Sequence, residues 1–124
     1  THQLRADEPE DVGGANTGPT PYQLLQAGLG ACTTMTIRMY ARRKDIPRES
    51  VSVTVTHAKR HLTECERCES TPHAVDHFTR TIILTGDLSD DQKVSLLKIA
   101  EKCPVHKTLE ASAHIETSLG EVGK

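Results

Sequence analysis

The residues of this chain best suited to chemistry are its four cysteines and seven histidines. Cys32 lies in Gly28-Leu29-Gly30-Ala31-Cys32-Thr33-Thr34. Glycine inside a helix costs about 1 kcal/mol relative to alanine, so two of them here imply that another backbone or helix comes close. A thiol at such a junction is either buried filler or a reactive group. Cys103 precedes Pro104, and a helix that starts at Pro104 makes Cys103 its N-cap. Free backbone N–H groups and the positive end of the helix dipole favour a thiolate there, and Lys102, His106 and Lys107 add positive charge nearby. The plainer reading is a cysteine that only ends a helix. His61-x3-Cys65-x2-Cys68-x4-His73 has the ligand types and close spacing of a zinc site, with His57 and His77 as spares. The same C-x2-C could equally be a dithiol redox pair or two inert loop thiols.

The elements that would position these groups follow from capping signals and periodicity. Gly13 to Gly18 reads as a flexible lead-in. Thr20-Pro21-Tyr22-Gln23 then forms a capping box and opens a helix of about twenty residues. Leu25, Gly28, Cys32, Met35 and Met39 repeat on it at steps of three and four, giving one apolar or small seam that contains Cys32. Arg42, Arg43 and Lys44 suit its negative end, and Asp45-Ile46-Pro47 stops it. Val51 to His61 alternates as a half-buried strand, and Val75 to Leu84 is a second, with Phe78, Ile82 and Leu84 on one face. Ser89-Asp90-Asp91-Gln92 caps another helix, with Leu96, Leu97 and Ala100 facing inward. A short helix restarts at Pro104, and Ala113 to Leu119 is predicted to close the chain as a strand. The order is an optional first strand, then helix, two strands, two helices and strand, an α+β fold of one domain spanning residues 1–124, with an N-terminal strand or hairpin either near the start or missing from the chain.

Only 35% of the residues are apolar and 2% aromatic, so a single chain buries little large side-chain surface and a homodimer is expected. The net charge of −2 comes from interspersed signs without a basic run, which argues against nucleic acid as partner. No stretch approaches the roughly 20 apolar residues of a membrane span, and the polar start is unlike a signal peptide. A cytoplasmic location is expected, in which thiols serve redox or metal chemistry rather than structural disulfides. The chain begins at Thr1 rather than Met, as an excised or processed piece would.

The stretch PTPYQLLQAGLGACTTMTIRMYA, followed by KCPVHKTL, resembles the OsmC/Ohr family of osmotically inducible and organic-hydroperoxide-resistance proteins. In that family one cysteine lies midway along a long central helix. A second lies about seventy residues on, in a Cys-Pro-[Val/Ile]-x-[Lys/Arg] segment, as Cys103-Pro104-Val105-His106-Lys107 does here. The resemblance runs from about Leu4 to Leu119. It implies an OsmC-like fold, with antiparallel sheets wrapped around long central helices in an intertwined homodimer. It also implies a peroxidase cycle that requires no cofactor, with Cys32 peroxidatic and Cys103 resolving, organic hydroperoxides as substrates and a dithiol as reductant.

Two departures from the family pattern stand out. Members with strong hydroperoxidase activity carry a glutamate in Asn-Pro-Glu-[Gln/Glu]-Leu, where this chain has Thr20-Pro21-Tyr22-Gln23-Leu24. The arginine that this acid orients would precede Thr1, and Arg5 has no motif that makes it a substitute. The PTPYQLL form and the C-x2-C loop look like a divergent branch, some of whose members are attached to an α/β-hydrolase. The sequence therefore predicts a thiol-dependent hydroperoxide reductase of oxidative-stress defence. Its rival is a non-peroxidatic redox-sensing or apolar-ligand-binding module, with zinc at Cys65, Cys68, His61 and His73 as a further option.

Overall fold

The computed structural model describes residues 1–61 and 74–120. The order is a 3-10 turn at Glu10–Val12, helix α1 at Pro21–Arg43, strand β1 at Ser50–His61, strand β2 at Ala74–Thr85, helix α2 at Asp90–Ala100 and helix α3 at Pro104–Glu110. Both expected capping boxes form. The Thr20 hydroxyl accepts from the Gln23 amide at 3.1 Å while the Gln23 side chain accepts from the Thr20 amide at 2.9 Å, and Ser89 with Gln92 repeats this at α2.

β1 and β2 pair antiparallel in one register, with Val51 opposite Leu84, Val53 opposite Ile82, Val55 opposite Arg80 and His57 opposite Phe78. These positions are the half-buried face of the ribbon, while Ile83 points outward. α1 lies on that face, with the Gln26 side chain donating to the Val55 carbonyl at 2.8 Å. Ile37 and Ala41 of α1 meet Leu96 and Ala100 of α2 to form the core, ringed by Tyr40, Ile46, Val51, Ile82, Leu84, Leu88 and Ile99.

Several expectations are corrected. The buried stripe of α1 is Leu29, Thr33, Ile37 and Ala41, at steps of four, and not the predicted seam. On that seam Leu25, Met35 and Met39 are 46%, 61% and 69% exposed, because α2 and the ribbon cover the neighbouring side of the helix. Among the described residues nothing lies within 4 Å of a Cβ placed on Gly28, and Gly30 makes only an ordinary contact with Val55, so no described backbone outside the helix comes close to either. Leu97 points outward as well. Ala113 to Leu119 joins no ladder, and residues 111–120 are all exposed, since the one sheet among the described residues offers this segment no pairing. No strand forms before α1 either.

The Gly13–Gly18 segment is tied down rather than free. The Asp7 carboxylate accepts from the Thr17 hydroxyl at 2.8 Å and from the amides of Thr17, Glu8 and Ala15 at 3.1, 2.8 and 3.0 Å. The Thr17 hydroxyl first, then these amides, hold the Asp7 carboxyl down at about 2, against an ordinary 3.8. A depressed carboxylate adds stability above its unfolded pKa and loses it as pH falls through the folded one. The loop is therefore expected to stay ordered above about pH 4 and to loosen toward about pH 2. Faster exchange of the Ala15 and Thr17 amides over that window, and in Asp7→Ala at neutral pH, checks this.

Candidate functional site

α1, α3 and the first half of β2 line a cavity of about 490 Å³. Its wall is apolar at Leu25, Leu29, Phe78 and Leu109, and polar at Tyr22, Arg80, His77 and His106. Cys32 is half-buried on α1, two turns beyond Leu25 and one beyond Leu29, on the same side of the helix. Cys103 is fully buried and is the N-cap of α3, as its place before Pro104 predicted. Its sulfur accepts from the His106 amide at 3.3 Å.

A second polar residue brings the two cysteine-bearing helices together. Arg80 donates through Nη1 to the Thr33 hydroxyl at 3.1 Å and to the Ala100 carbonyl at 3.3 Å, and through Nη2 to His106 Nδ1 at 3.1 Å. Because a guanidinium can only donate, His106 Nδ1 is the acceptor in that bond. The other ring nitrogen, Nε2, donates its hydrogen to Glu110 Oε2 at 3.0 Å. The Thr33 hydroxyl in turn donates to the Leu29 carbonyl at 2.6 Å.

Tyr22 stands at the other side of the cavity. Its ring stacks on His57 at 4.6 Å between centroids, and His57 packs against Phe78 at 4.8 Å. His57 Nε2 bonds Asp76 Oδ1 at 2.9 Å. Arg5, which has no motif that makes it a substitute for the family's arginine, does not line this cavity, whereas Arg80 lines it together with Tyr22. Alternation along β2 carries the signal that would have found it, since Phe78-x-Arg80-x-Ile82-x-Leu84 puts one charge on an otherwise apolar face. His57 stands out in the same way at the end of Val51-x-Val53-x-Val55-x-His57.

The proposed zinc ligands fall mostly elsewhere. Cys65, Cys68 and His73 lie outside the described residues, and His61 ends β1 with its side chain also outside them. Among the described residues no group of three or more His, Cys, Asp or Glu side chains could hold a metal ion, and no helix is long and apolar enough to cross a membrane.

Comparison with solved structures finds the same fold. An organic hydroperoxide resistance protein, OsmC, from Legionella pneumophila is 27% identical with a TM-score of 0.62, covering 84% of this chain and 71% of that one. An osmotic stress induced and detoxification response protein from Psychrobacter arcticus is 22% identical with a TM-score of 0.67, over 85% of this chain and 70% of its own. An organic hydroperoxide resistance protein from Vibrio cholerae, with captopril bound in one of its active sites, is 21% identical with a TM-score of 0.59, over 86% and 68%. Comparison with curated proteins gives no match. The family model described as OsmC-like protein matches residues 13–118. With that match across most of its length, Cys32 on the long helix α1 and Cys103-Pro104 at the start of α3, the chain belongs to the OsmC-like protein family.

Proposed function

We propose that this protein reduces organic hydroperoxides through Cys32 and Cys103. The Cys32 thiolate attacks the outer peroxide oxygen and breaks the O–O bond; the alkoxide leaves as an alcohol after taking a proton, and Cys32 becomes a sulfenic acid. Cys103 sulfur then attacks the Cys32 sulfur, forming the disulfide and releasing water. A dithiol reductant returns the two electrons. The observation that carries this reading is the link through Arg80, which joins the residue after Cys32 to the residue whose amide bonds the Cys103 sulfur. The apolar wall at Leu25, Leu29, Phe78 and Leu109 favours an organic peroxide over hydrogen peroxide. Stopped-flow mixing of the reduced protein with each oxidant tests it. Faster consumption of cumene hydroperoxide is expected, and equal rates would contradict it.

One observation favours a rival reading. Cys103 has no exposed surface, as expected of a thiol that only caps a helix, and the cavity would then hold an apolar ligand. Saturable binding of such a ligand with both thiols untouched by hydroperoxide distinguishes that module from the reductase.

The working form is proposed to be a cytoplasmic homodimer. Leu25, Gly28, Met35 and Met39 leave an apolar and small stripe uncovered on α1, and a two-stranded ribbon with so few buried side chains is marginal alone. Sedimentation at nanomolar concentration is expected to show no folded monomer; a folded one contradicts the proposal.

Tyr22→Glu is expected to give an equal or lower rate. A tyrosine offers an arginine a hydroxyl and not the two oxygens of a carboxylate, yet the carboxylate that replaces it finds Arg80 already committed to three acceptors. The substitution also removes the stack on His57, and a carboxylate near a thiol disfavours its thiolate. A large gain in cumene hydroperoxide reduction would contradict this.

A further inference from the structure

An arginine on the inward face of a strand is costly unless its hydrogens find acceptors. Those that Arg80 finds belong to three helices: Thr33 in α1, Ala100 at the end of α2 and His106 in α3. Each stands next to a thiol. Thr33 follows Cys32 in sequence, the Ala100 carbonyl also accepts from the Cys103 amide at 3.3 Å, and the His106 amide donates to the Cys103 sulfur. His106 is itself held from its far side by Glu110. A planar guanidinium fixes the directions of its bonds, so it sets where the start of α3 lies relative to the Cys32 turn of α1.

We infer that Arg80 is a positioning residue for disulfide closure, holding the Cys103 end of α3 against the turn of α1 that carries Cys32. The inference rests on reading those two cysteines as the reacting pair. Arg80 acts on the second step of the cycle. The S–S bond forms as the sulfenic S–O bond breaks, and the hydroxyl leaves as water with the thiol proton. Such a step within one molecule depends on the effective concentration of one sulfur at the other, which falls steeply when either is misplaced. The first step needs Cys32 and a peroxide seated on the cavity wall, and does not depend on where Cys103 lies. Loss of the guanidinium therefore separates the two steps.

The test follows both steps in the reduced full chain, as wild type, Arg80→Met, Arg80→Lys and Thr33→Val. With cumene hydroperoxide and dimedone present, mass spectrometry counts dimedone-labelled Cys32 against the disulfide joining Cys32 and Cys103. In Arg80→Met, which also alters the cavity wall, closure is expected to slow about 10-fold or more beyond any slowing of sulfenic acid formation, so labelled Cys32 accumulates. Arg80→Lys restores part of the closure, since an ammonium keeps the charge without the fork. Thr33→Val removes only the α1 acceptor and shifts the same ratio in the same direction, which decides the matter if Arg80→Met does not fold. A parallel arm uses diamide, a two-electron oxidant that closes dithiols and is itself reduced to the hydrazine, with no peroxidatic step. Slower diamide closure in the variants of a protein that ignores hydroperoxide would leave the positioning role standing and remove the proposed activity. Unchanged diamide closure overturns the inference, as does equal slowing of both steps with hydroperoxide. Failure of wild type to join Cys32 to Cys103 with either oxidant overturns both readings.

Discussion

Cys32→Ser is expected to lose organic hydroperoxide reduction by at least about a thousandfold, while Cys103→Ser completes one turnover and then stops. The asymmetry follows from their places in the cycle. Cys32 is half-buried on α1, one turn beyond the cavity-lining Leu29, within reach of the O–O bond of an alkyl peroxide that rests on Leu25 and Leu29 in the proposed cycle. Serine at that position keeps the shape but is a far weaker nucleophile near neutral pH. Cys103 is buried at the start of α3 and meets the peroxide only through Cys32. Without it the sulfenic acid persists, and excess hydroperoxide carries it on to sulfinic acid. Serine is also a good N-cap, so α3 should keep its first turn in Cys103→Ser and the fold should survive. A burst of one equivalent per chain followed by arrest is the expected trace. Continued turnover by Cys103→Ser, or any comparable rate in Cys32→Ser, contradicts the assignment.

The largest effect on stability is expected at the contact between α1 and α2. Ile37 and Leu96 are both 0% exposed and share a small core with Ala41 and Ala100. Truncating either to alanine leaves a cavity that these two short side chains cannot fill, at a cost of about 2–5 kcal/mol. Domains of this kind have only about 5–15 kcal/mol in all. Urea unfolding should show a lower midpoint with an unchanged slope. Met39→Ala on the uncovered stripe gives the contrast. In a monomer it should change stability by less than about 0.5 kcal/mol, whereas in a homodimer its cost appears as a loss that deepens on dilution. Equal, concentration-independent losses in Ile37→Ala and Met39→Ala would contradict the division between core and stripe.

Much of this architecture was legible because local rules and global packing agree. Thr20 and Ser89 announce their helices through capping boxes, Cys103-Pro104 announces α3, and the alternating valines of β1 find their register against β2. The buried side of α1 was not legible, because Leu25, Met35 and Met39 look as apolar as Leu29, Ile37 and Ala41. Only the position of α2 separates the two stripes. The Ala113–Leu119 segment has a strand's alternation, but a strand exists only with a neighbour to bond, and the sequence does not name one. The two cysteines were visible by residue type and motif. Arg80 is legible only as a charge on the apolar face of β2; its acceptors are not, because they sit on three helices whose packing the sequence does not give.

The central claim, that Cys32 and Cys103 form the working pair, is tested most directly by identifying the disulfide made by one equivalent of cumene hydroperoxide. The fully reduced protein is oxidised, alkylated, digested without reductant and mapped by mass spectrometry. The account predicts a peptide joining Cys32 to Cys103, formed as the hydroperoxide disappears, with Cys65 and Cys68 recovered as alkylated thiols. A link between Cys65 and Cys68, with Cys32 and Cys103 recovered alkylated, would contradict it and move the chemistry to the other pair.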